Sequence, residues 1–71
     1  MSISKHSVMI AGHRTSISLE PEFWNVLKKI AAKQGTTPAE LITRIDANRA
    51  GGLSSALRVF ILKTVMNEKP L

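Results

Sequence analysis

The chain has 71 residues, no cysteine, two histidines, and ten Lys plus Arg against five Asp plus Glu, for a formal net charge of +5. That length allows one domain, residues 1–71, with too little interior to be comfortable as a monomer. Disulfides are excluded, and His6 and His13 alone cannot build a structural zinc site, so self-association is the expected source of stability.

A hydrophobic fraction of 44% argues for a folded chain rather than a disordered one. The basic excess is compatible with nucleic acid or an anionic membrane surface, although charge alone is a weak guide. No run of 18 apolar residues occurs, so no transmembrane helix is expected. The start, MSISKHSVMIAGH, lacks an apolar signal core, which favours the cytoplasm.

Met1 to His6 is short and polar and is expected to fray. Ser7 to Leu19 is rich in β-branched and small residues, divided by Gly12. After the glycine, Thr15, Ile17 and Leu19 share one face of a strand over about 13–19, with Arg14, Ser16 and Ser18 on the other. Before it, Val8 and Ile10 alternate with Met9 and Ala11, so both faces read as apolar. Gly12 fits either a bulge in one long strand or a hairpin turn, and an extra strand within 1–12 is an open option.

Glu20-Pro21-Glu22 opens a helix over about 21–34, with proline at its first position and acids at the positive end of the dipole. Phe23, Leu27, Ile30 and Ala31 follow at helical spacing, and Gly35 stops it. Thr37-Pro38-Ala39-Glu40 forms a capping box that opens a second helix over about 38–49, with Leu41, Ile42 and Ile45 as its stripe. After Gly51-Gly52, Ser54 or Ser55 can cap a third helix over about 54–67. Val59 to Leu62 is apolar almost all round, which predicts burial on most sides.

No constellation for catalysis, cofactor or metal is present: neither histidine stands in a triad-like spacing, and no glycine-rich phosphate loop occurs. An enzyme is not expected. Arg14, Ser16 and Ser18 are either the solvated side of a half-buried strand or a set of base-reading side chains. Arginine pairs with guanine O6/N7, serine bonds either kind of base edge, and a two-stranded ribbon fits the major groove. Lys28, Lys29, Lys33, Arg44 and Arg49 are solvated cations that could touch phosphates.

The order strand, helix, glycine turn, helix resembles the ribbon-helix-helix repressors, the class of the methionine and Arc repressors. The matching residues are RTSISLEPEFW, the first helix to Ala32, the turn KQGTTPAE, and Leu41-Ile42, about residues 13 to 48. It looks closest to a branch of short bacterial proteins with AGHRTSISLEPEFW and a later LSSALRVFIL. Compared with typical members, this chain adds Ser7–Gly12 before the strand and Leu53–Asn67 after the second helix.

The resemblance implies a mainly α fold with a short β-ribbon, an intertwined homodimer with an extra C-terminal helix. Arg14–Leu19 would pair antiparallel with the same segment of a second copy. Arg14, Ser16 and Ser18 would read bases. Thr36 and Thr37 would offer backbone amides to a phosphate, helped by Lys28 and Lys33. Ile17, Leu19, Phe23, Trp24, Leu27, Ile42 and Phe60 would form the dimer core. The implied function is a transcriptional regulator on double-stranded DNA, needing neither membrane nor cofactor. The alternative is a dimeric protein-interaction module, antitoxin-like or a scaffold, that keeps the fold and docks a protein partner.

Overall fold

The backbone at Ala11 and Gly12 decides how the first third of the chain folds. Both residues take positive φ, 50° and 83°, as required of the two central residues of a hairpin turn whose twist matches that of its strands. The structure, a computed structural model, describes residues 3–48 and 51–68. In it β1 (Ser4–Ile10) and β2 (His13–Leu19) form a two-stranded antiparallel sheet around that turn. The register runs from Ser4 opposite Leu19 to Ile10 opposite His13.

The option left open at Gly12 is therefore decided for the hairpin. One further expectation is corrected. The segment before Ser7 does not fray across its described part, because Ser4, Lys5 and His6 belong to β1. Along one edge β2 pairs with β1 of the same chain. Since a strand has two edges, a second copy could add to β2 only on the other one.

Pleating sorts the ribbon into two faces. Ser4, His6, Val8 and Ile10 of β1, with Thr15, Ile17 and Leu19 of β2, point inward. The inward face is covered by helices α1 (Pro21–Lys33), α2 (Pro38–Asn48) and α3 (Leu53–Glu68). Ile10, Ile17, Leu19, Leu27, Ile30, Ala31, Leu41, Ile42, Leu57 and Ile61 form one buried cluster drawn from all five elements. His6 lies flat on Trp24, with ring centroids 4.0 Å apart and planes 10° from parallel. Its Nε2 is buried without a hydrogen-bond partner.

Each helix end has a local cause. Pro21 opens α1 behind an extended Glu20, and Leu27, Ile30 and Ala31 turn one face to the core. Gly35 ends α1 in the left-handed region, φ 71°. The Thr36 amide donates to Ala31 O (2.9 Å) and the Gly35 amide to Ala32 O (3.1 Å), the paired bonds of a Schellman ending. Thr37 caps α2 by accepting the Glu40 amide at 3.1 Å.

The start of α3 differs from expectation. Neither serine is its cap: the helix begins at Leu53, and the Gly52 carbonyl accepts the Ala56 amide at 3.0 Å. The expected burial of α3 on most sides is also corrected, since only Leu57 and Ile61 are fully buried, while Val59 and Leu62 stand about half exposed. Arg49 and Pro70 lie outside the described residues.

A left-handed alanine is strained by about 1–2 kcal/mol, and asparagine tolerates that conformation far better. Ala11→Asn should therefore raise the thermal midpoint by roughly 4–8 °C if about 1 kcal/mol is recovered. Gly12→Ala, which meets open space but keeps the positive φ, should lower it. Thermal melts followed by far-UV circular dichroism check both, and equal midpoints for the three chains would contradict the turn assignment.

Candidate nucleic-acid interface

The outward face of the ribbon carries the side chains that matter. From β2 come Arg14, Ser16 and Ser18; from β1 come their cross-strand partners Met9, Ser7 and Lys5. Arg14 and Ser16 are exposed and Ser18 is half-buried. Lys5, Ser7 and Met9 are exposed. No described segment folds over this face. The residues of Ser7–Gly12 lie beside Arg14 and Ser16 in the same sheet and widen the surface instead of covering it.

The three β1 residues are hidden from a reading of the sequence for a definite reason. Met9 beside Val8 and Ile10 makes both faces look apolar, and the polar stretch up to His6 looks like a fraying end. The available signal is the alternation Lys5, Ser7, Met9 against His6, Val8, Ile10, closed by a two-residue Ala-Gly turn.

Two tethers hold the ribbon's last residues against the helices. Ser54 Oγ donates to the Ser18 carbonyl at 2.7 Å, joining the start of α3 to the end of β2. Arg58 Nε donates to Glu20 Oε1 at 2.9 Å, joining α3 to the corner between β2 and α1. The Arg58 guanidinium also lies 5.9 Å from the centre of the Phe23 ring. The hydrogen bond from Arg58 holds the Glu20 carboxyl below its usual range. Glu20 makes no side-chain bond to the amides of α1, so its carboxylate serves the α3 contact.

At the start of α2 the Thr36 amide donates to Ala31 O, and the Thr36 hydroxyl is buried without a partner. The Thr37 hydroxyl is engaged with the Glu40 amide, and Pro38 has no N–H to offer. What remains for an anion is the amides of Thr37 and Ala39. Lys28 and Lys33 are exposed on α1.

Of the residues expected to meet across a dimer, Ile17, Leu19, Leu27 and Ile42 are fully buried within a single chain. Phe23, Trp24 and Phe60 are partly buried and pack against the same cluster. Their burial is largely completed without a second copy. Among the described residues no group of three or more His, Cys, Asp or Glu could hold a metal ion, and no helix is long and apolar enough to cross a membrane.

A ribbon followed by two helices joined through a glycine turn, with a third helix behind, defines a class. The chain belongs to the ribbon-helix-helix domain family, which matches residues 3–65. Among solved structures, it is similar to an uncharacterized protein from Bordetella pertussis Tohama I, at 34% identity and a TM-score of 0.75. The match covers 94% of this chain and 59% of that one, so this chain spans little more than half of that protein's length. No curated protein matches.

Two outcomes follow from this geometry. Thr37→Ala should cost about 1 kcal/mol through loss of the cap, readable as a lower urea midpoint at an unchanged slope. Glu20 is depressed in the folded state, so its contribution is present above the ordinary carboxylate range and is lost as pH falls through the lowered value. Thermal melts of wild type and Glu20→Gln should differ at pH 7 and converge as the pH falls through the lowered Glu20 carboxyl. Coincident melts at pH 7 would remove the Arg58 tether as a source of stability.

Proposed function

We propose that this chain is a cytoplasmic DNA-binding transcriptional regulator that acts as a homodimer and lays the outward face of the β1–β2 ribbon in the major groove. The observation that supports it is an uncovered two-stranded ribbon bearing Arg14, Lys5 and three serines on one face. Strands about 4.8 Å apart make a ribbon that fits a groove about 12 Å wide. Arg14 suits guanine O6 and N7, Ser16 and Ser18 suit either kind of base edge, and the exposed Met9 beside Arg14 suits a thymine methyl. Thr37 and Ala39 amides at the positive end of α2 suit one phosphate. Lys28 and Lys33 add attraction that carries no sequence information.

Selection of bound duplexes from a random pool supplies the target for the test. On that target Arg14→Ala should weaken binding about 5- to 150-fold and relax the preference at one base pair. Lys28→Ala should weaken binding to all sequences alike and reduce the salt slope by about 1. An Arg14→Ala chain that binds the selected duplex as tightly as wild type at moderate salt would sink the reading head.

A further inference from the structure

Between α2 and α3 lies an open groove of about 830 Å³, within the size range of small-molecule sites. Its floor is apolar: Leu41 and Ile45 come from α2, and Ala56, Val59 and Phe60 from α3. Leu41 is buried, whereas Val59 is 47% exposed and Ile45 and Phe60 are only partly buried. Along the length of the groove the backbone groups are bonded within the helices, so side chains do the recognising. Their charge is one-sided. Arg44 stands on the α2 wall and Lys63 on the α3 wall, both exposed, and no acid is found among the described residues that line the groove.

We propose that this groove binds a small organic anion with an extended apolar body, of the class of free single-chain fatty acids. The chain would lie on Ile45, Val59 and Phe60, with its carboxylate among the Arg44 and Lys63 side chains. Apolar contact supplies the affinity, because each methylene removed from water contributes. The two cations supply the choice of sign: a neutral or cationic amphiphile gains the same floor and loses both partners. A second copy is a poor occupant of this groove by charge, since it also carries +5 and would bring its own excess of cations against Arg44 and Lys63. None of the lining residues lies on the outward ribbon face. The inference therefore goes beyond the reading above and needs neither DNA nor a homodimer.

The test is a titration of the full chain with dodecanoate below its micelle concentration, followed by amide NMR and calorimetry. Saturable one-to-one binding is expected below about 1 mM, with the amide shifts centred on Ile45, Val59 and Phe60 and absent from Arg14 and Ser16. Decanoate should bind about 4- to 15-fold more weakly, the loss of one to two buried methylenes. Replacing both cations, Arg44→Gln with Lys63→Gln, should weaken dodecanoate about 2- to 30-fold, as expected of two exposed ion pairs. The same double variant should leave dodecyltrimethylammonium no weaker. Val59→Glu should cost about 10-fold or more, and the double variant, at two exposed positions, carries the test should Val59→Glu fail to fold. Dodecyltrimethylammonium binding wild type as tightly as dodecanoate would overturn the proposal. So would a groove that ignores dodecanoate, whether its shifts follow protein concentration, as with a second copy, or an added acidic amphipathic peptide.

Discussion

The inner face of the hairpin is the constraint from which the rest of the structure follows. Two strands joined by a tight turn are marginal in water unless one face is packed. Here Ile10, Ile17 and Leu19 are sealed by residues of three helices, down to 0% exposure at Leu19. Because side chains alternate across a strand, sealing those three aims Arg14, Ser16 and Ser18 outward, and a slip of one residue would reverse every assignment. The orientation of the outward face is thus set by the core beneath it. The tethers at Ser18 and Glu20 add to this by fixing α3 to the end of β2 and its corner with α1.

How far the sequence discloses this depends on where the information is stored. The helix boundaries are written locally. Pro21, the Thr37-Pro38-Ala39-Glu40 box and Gly35 act within one turn of themselves, and the bonds at Thr37, Gly35 and Thr36 follow from residue type. The inward set of β2 is legible for a similar reason, since strict alternation over seven residues has one sensible reading. The partner of β2 is not written locally. Ala11 at φ 50° is an unfavourable residue for its conformation, so the turn signal is half missing, and the hairpin is held mainly by pairing and by the core. The role of Ser54 is hidden as well: a serine before an apolar run looks like a cap, and only the fold brings the Ser18 carbonyl within 2.7 Å of it.

The candidate site divides along the same line. Arg14, Ser16 and Ser18 are visible as a polar face within one strand, whereas Lys5, Ser7 and Met9 join them only through the register of β1 against β2. Thr36 shows the converse. Its position before a helix makes it look like an anion ligand, but the same glycine that ends α1 turns the Thr36 amide back to Ala31. Helix endings and helix starts compete for the groups between them when only a few residues separate the two, and here the ending of α1 takes Thr36 while the start of α2 takes Thr37.

An intrachain hairpin also changes what a second copy has to do. A lone ribbon strand would need its mate for every backbone hydrogen bond along one edge, and folding could not be separated from association. With β1 in that place, Ile17, Leu19, Leu27 and Ile42 are buried within one chain. The largest apolar side chains left exposed on a described helix are on α3, at Val59, Leu62, Val65 and Met66. The apolar residues exposed on α3 and the residues that face solvent from the ribbon are different sets, held on different elements. Each can be altered without disturbing the other, because no side chain serves both.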